Sequence, residues 1–196
     1  MINAVLKRAF ISIFLVTAVT AAVSAQELPA KIRGYKVEKA NIRVAASTAK
    51  NSSESDAVIK VYDPEVDSLG LSGIGLSIGG EITSAGQSGT VEMLSFRDFR
   101  INGIRVEVEE YTHPFNFRAG EKVLLPFPVK IFVSNTGIAR AALKELLDSK
   151  KLWVVTGKVL VFGRFKKYGF SFKRVVPVDL SIEVENPARS LADSLK

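Results

Sequence analysis

The densest group of side chains able to do chemistry lies between Arg164 and Arg174. Arg164, Lys166, Lys167, Lys173 and Arg174 alternate there with Phe165, Tyr168, Phe170 and Phe172. Cations interleaved with aromatic rings suit anionic lipid headgroups, with the rings at the interface. In composition they also suit single-stranded nucleic acid, on whose bases rings stack. The ordinary reading is that the phenylalanines belong to a core and the basic residues are their solvated alternates.

Other candidates are sparser. His113 is the one imidazole, set between Thr112 and Pro114 with no nucleophile nearby in sequence, and it reads as a structural or surface histidine. The absence of cysteine removes thiolate nucleophiles and cysteine zinc sites. Glu107, Glu109 and Glu110 offer carboxylates, but Glu107 and Glu109 share the outward face of a strand, where a solvated acidic stripe is ordinary. Asp63, Glu65 and Asp67 alternate through a proline turn. Three carboxylates fall short of the six or more oxygens that a calcium site takes. No cofactor and no metal site is expected.

The elements that must position these residues read as strands. Val155 to Phe162 and Phe170 to Val178 are rich in β-branched and aromatic residues, and the expected loop is Gly163 to Tyr168, closed by Gly169. Asn102-Gly103 suits a two-residue hairpin turn, with Ile104, Val106 and Val108 facing inward beyond it. Tyr35 and Val37 alternate in one phase and Ala40, Ile42 and Val44 in another, which marks a bulge or a break. Ile74, Leu76, Ile78 and Ile82 share a period of two, with glycines between, and predict an edge or strongly curved strand. Pro64 ends or bulges a strand after Tyr62. Pro126 and Pro128 predict an edge at Val123 to Pro128. Residues 45–56 are small and polar, a surface loop.

One helix is expected near residues 136–150, from the stripe Ile138, Ala142, Leu143, Leu146 and Leu147. With no strand–helix alternation, the fold class is all-β. The expected architecture is an antiparallel immunoglobulin- or fibronectin-like β-sandwich of seven to nine strands with that one short helix.

The N-terminal residues read as an export signal. Lys7 and Arg8 precede an uncharged run from Ala9 to Ala25, and Val23-Ser24-Ala25 resembles a cleavage site before Gln26. The alternative is an uncleaved anchor, since about 17 apolar residues sits at the lower edge of a span. Removing residues 1–25 takes away two basic residues and no acidic one, so the formal charge falls from +7 to +5. The expected organisation is a signal peptide at 1–25, a tether at 26–33, a sandwich domain at 34–187 and a flexible tail at 188–196. No further segment is apolar enough to span a membrane. Periplasmic or secreted localisation follows, and it sets nucleic acid aside as a partner. With no disulfide available, packing alone must hold the domain.

The order of motifs resembles the LEA14-like, or water-stress-and-hypersensitive-response (WHy), family of late-embryogenesis-abundant proteins. The resemblance runs from about Gly34 to Asn186. Val61-Tyr62-Asp63-Pro64-Glu65 is similar to the family's V-x-N-P-N motif, with acidic residues at Asp63 and Glu65 where the family has Asn. Residues 96–108, 125–131 and 152–162 resemble its middle strands, the segment before its short helix and its late glycine-containing strand. The resemblance implies a sandwich with a helix at one end, a structural turn at Asp63, Pro64 and Glu65, a link to desiccation or envelope stress, and no catalytic residues. Two functions are expected. One is a non-enzymatic exported protein that binds or shields an anionic lipid or polyanion surface. The other is an adaptor that pairs a sheet edge, the glycine-rich 69–83, with an envelope protein.

Overall fold

The computed structural model describes residues 28–46, 56–134, 151–167 and 169–187. These residues are all-β, in three sheets of seven, four and four strands. The expected signal peptide, the start of the expected tether, most of the expected loop 45–56, the expected helix, Tyr168 and the expected tail lie outside the described residues.

A long hairpin is the spine. β14 (Leu152–Lys167) pairs antiparallel with β15 (Phe170–Glu185) over its whole length, from Leu152↔Glu185 to Lys167↔Phe170. The β-branched and aromatic run that predicts these strands therefore continues through the expected loop. Residues 163–167 are strand, and Gly169, at φ 81°, stands directly before β15. The basic residues of this stretch are ladder residues, placed by register.

The other edge of β14 pairs with β8 (Ser88–Ile101), and β8 pairs with β11 (Phe115–Phe117). β9 (Ile104–Arg105) folds back on β8 through Asn102-Gly103, both at positive φ as a two-residue hairpin requires. β15 is flanked by β2 (Tyr35–Val37), which is parallel to it and in turn pairs with β1 (Lys31–Ile32). Arg33-Gly34 repeats the positive-φ turn of Asn102-Gly103. The tether expected over 26–33 is thus partly strand, and Ile32 is buried.

The second layer is a pair of short sheets. One has the order β12 (Lys122–Leu124), β7 (Gly80–Ser84), β4 (Ala57–Val61), β3 (Ile42–Ala46). The other has the order β10 (Glu107–Val108), β13 (Val129–Ser134), β6 (Gly73–Ile78), β5 (Glu65–Gly70). Three chain segments run through both: β4 into β5, β6 into β7, and β12 into β13. Each breaks at the same level, at Tyr62-Asp63-Pro64, at Gly79 and at Leu125 to Pro128. Prolines cannot donate to a ladder, so the sheet splits there along a seam. Two bonds still cross it: the Tyr62 N–H donates to the Gly79 carbonyl at 3.0 Å and the Leu125 N–H to the Gly80 carbonyl at 2.9 Å.

Three features depart from expectation. Splitting long strands raises the number of segments to fifteen among the described residues. The glycine-rich strand is interior rather than an edge, since β6 lies between β13 and β5, and β7 between β12 and β4. Its period-two face is as expected, with Ile74 and Leu76 in the core. The proline-flanked β12 does lie at a sheet edge. The third departure is direction: β3 is parallel to β4, as β2 is to β15, so the ladders are mixed rather than antiparallel throughout. The phase change after Val37 is a break in which the chain leaves the large sheet for the small one.

The core lies between the layers. Trp153, Val155, Ile182 and Val184 of the hairpin meet Ile74, Leu76, Ile131 and Val133. Nearer the turn, Val161, Val176 and Val178 meet Phe115, Phe117 and Val129. A smaller cluster covers the opposite face of the hairpin, where Ile32 and Tyr35 close over Leu160, Phe162 and Val175. Phe99 crosses the bulge at Asp98 and lies against Gly157. A Cβ at Gly157 would stand 2.5 Å from the ring. Gly157→Val is expected to destabilise the fold by about 1–3 kcal/mol through overpacking. Urea unfolding followed by the fluorescence of buried Trp153 measures this, and a loss under about 0.5 kcal/mol would contradict the close approach.

Candidate hairpin surface

Register sorts the basic and aromatic residues of the hairpin onto two faces. Arg164 stands opposite Lys173 on the face away from the second layer. Phe165 stands opposite Phe172 on the other face, and Phe170 follows two residues earlier on that same side. The second layer is shorter than the hairpin and does not cover all of it. Phe170 is 69% exposed and Phe172 39%, with ring centroids 6.5 Å apart. Phe165 is only half-buried and packs on Phe117 at 5.9 Å.

The outward face carries a charge network. Glu92 is the extra residue of a bulge in β8, where the pairing steps from Phe162↔Met93 to Gly163↔Val91. Its carboxylate accepts from the Tyr35 hydroxyl and from Arg164 Nε at 2.8 Å. The Tyr35 hydrogen bond, with Arg164 behind it, holds the Glu92 carboxyl below the usual carboxylate range against its partial burial. The same hydrogen bond raises the Tyr35 phenol. The Lys173 ammonium sits 5.6 Å over the Tyr35 ring, and Arg33 pairs with Glu110 at 2.6 Å. On the inward face Arg174 pairs with Glu38 at 2.7 Å and lies over Phe172. A notch of about 290 Å³ opens beside it, lined by Phe165, Phe172, Val176 and Gln87. Thus Arg164 and Arg174 are each neutralised by a carboxylate from another element, while Lys166 is exposed near the turn.

The remaining candidates are dispersed. His113 is exposed and stacks on Phe127, with centroids 4.3 Å apart. Glu107 and Glu109 are exposed, and Glu110 is held by Arg33. Asp63 accepts from the Glu185 N–H at 2.9 Å, and Pro64 is buried beside it, tying the seam to the end of β15. Glu65 is exposed and opens β5. Asp67 accepts from Lys130 and from the Ser77 hydroxyl, and chiefly the Lys130 bond lowers its carboxyl. No group of three or more metal-ligating side chains occurs among the described residues. Glu92 and Glu38 escape a reading of the sequence because each is an ordinary polar residue in or just after a strand, and Tyr35 because it reads as part of an apolar alternation. Only the pairing of distant strands brings them to the basic residues.

No family model matches the chain, and no curated protein matches it. Among solved structures it is similar to a protein from Archaeoglobus fulgidus. The two are 10% identical, the match covers 64% of this chain and 94% of that one, and the TM-score is 0.36. A likeness at that level carries no functional statement.

The lowered carboxyls set a pH dependence. A carboxylate whose folded value is depressed contributes stability above its unfolded value, about 4 for Asp and Glu, and loses it as pH falls through the folded value. Stability is therefore expected to drop on acidification from pH about 6 to about 3, and less so in a Glu92→Gln, Asp67→Asn variant. Urea midpoints of both proteins at the two pH values test this. Equal drops would show that neither network contributes.

Proposed function

We propose that the protein is exported and non-enzymatic, and that it binds an anionic lipid surface through the free end of the β14–β15 hairpin. The fold is read as a sandwich of the immunoglobulin or fibronectin type. The setting, envelope stress or desiccation in the periplasm or outside the cell, comes from the resemblance to WHy domains. One observation carries the binding reading: Phe170 and Phe172 remain exposed side by side on one face of a hairpin end that also holds Lys166, Lys167 and Lys173. Exposed rings on a rigid strand insert at the headgroup level without first leaving a core. Each basic residue close to an anionic surface adds about 1 kcal/mol, lost as salt screens it.

The ion pairs refine the notion of a basic patch. Arg164 and Arg174 are already matched by Glu92 and Glu38, so they fix the rings and the strand rather than present charge. The attraction is left to the lysines. This division separates two variants that a simple charge count would not. Phe170→Ser with Phe172→Ser removes the inserted area, while Lys166→Gln with Lys167→Gln removes charge. In sedimentation with vesicles of phosphatidylserine and phosphatidylcholine, each pair is expected to cut the bound fraction several-fold, by about 1–2 kcal/mol of partition energy. Vesicles of phosphatidylcholine alone should retain little protein. If parent and both variants sediment alike, or if the parent does not sediment with the anionic vesicles at low salt, the reading fails.

A further inference from the structure

In a closed sandwich the middle residues of a central strand are fully buried where they face the other layer. Val159 is at the middle of β14, faces the second layer between Val155 and Val161, and is only half-buried. Phe96, its partner on β8, is half-buried too. So are Val44, Ile59 and Ile82 on the opposite wall. The reverse face of the same hairpin is tight, with Leu160, Phe162 and Val175 at 0% exposure. The opening is therefore a property of the gap between layers and not of loose packing in general.

The gap holds a cavity of about 90 Å³ whose wall exposes no polar surface. Water in such a space finds no hydrogen-bond partners, and an engineered apolar cavity of about 150 Å³ stays dry and takes benzene. The cavity reaches the seam, where Val61, Gly79, Gly80 and Leu125 line it. Beside it, Lys60 and Glu81 alternate with the lining residues Ile59, Val61, Gly80 and Ile82, and so turn their side chains to the outer face of the layer. Lys60 pairs with Glu81 at 3.5 Å, both largely covered, and the Tyr62 hydroxyl donates to Glu81 at 3.2 Å. Burial raises the Tyr62 phenol, so this group stays a neutral donor.

We infer that the gap between the layers is a binding slot for the end of a single unbranched hydrocarbon chain, entered through the seam. A volume of this size takes a few methylenes and excludes a fused ring system. Two flat walls of Val and Ile side chains suit a linear chain. The matching ligand is a straight-chain fatty acid whose alkyl end enters the slot while its head stays in water. This slot lies away from the hairpin end and does not depend on the lipid-surface reading.

The test is calorimetric titration of the purified protein with sodium butyrate, hexanoate, octanoate and decanoate below their micelle concentrations. Saturable binding is expected, tightening about four-fold for each added methylene until the slot is full. Val159→Phe fills the slot from one wall and Ile59→Phe from the other. Each is expected to weaken octanoate binding about ten-fold or more, whereas Arg118→Gln on the exposed surface leaves it unchanged. Thermal melts identify any filled variant that fails to fold, and the other then decides. Absence of saturable binding up to about 1 mM decanoate overturns the proposal. So does affinity independent of chain length, or undiminished binding by a folded, filled variant.

Discussion

At Leu160 and Phe162 the central ladder is as fully enclosed on its outer side as it is at Trp153 and Val155 on its inner side. A strand buried on both faces reads as a continuous apolar run rather than an alternating one, and the stretch from Val159 to Phe162 has that character. The requirement propagates outward. The inner face needs a second layer, and the outer face needs the β1–β2 hairpin, whose Ile32 and Tyr35 close it. With no cysteine in the chain, no covalent bridge relieves that requirement. Side-chain burial in two directions from one hairpin holds the fold together.

The second layer meets this demand unevenly. Its lower sheet packs tightly, with Ile74, Leu76, Ile131 and Val133 all buried. Its upper sheet offers Ile59, Ile82 and Val44, which remain half-open. The seam separates the two regimes. Ladder bonds are lost at Pro64, Pro126 and Pro128, while Asp63 keeps the seam fastened to β15 at Glu185. A proline in each of the two flanking segments, and a glycine pair in the segment between them, suffice to break one sheet into two.

Much of this was legible in the residues, and the limits have physical causes. Asn102-Gly103 specifies its hairpin because few residues tolerate positive φ twice in succession. Arg33-Gly34 does the same and is harder to read, because Arg is an unfavourable occupant of that position. The edge at Val123 to Pro128 is dictated by missing donors. The glycine-rich strand reads as either an edge or a strongly curved strand because the two share one local signature, and the pairing partners that place it inside are not local. The basic hairpin shows the same limit. Its composition is visible in sequence, while the neutralisation of Arg164 and Arg174 depends on Glu92 and Glu38 arriving from segments far away in the chain. The slot between the layers has no signature, since its lining reads as core and only the packing leaves it open.

The parallel pairing of β2 with β15 joins Lys36 to Arg174, near the two ends of the described chain. Closing so long a loop is costly in entropy, and contacts of this separation form slowly. The large sheet therefore cannot add β2 until β15 has been made. Until then the apolar patch around Phe162 has no lid, and the nascent molecule passes through a sticky, half-built stage in which escorting chaperones matter more than for a locally wired fold.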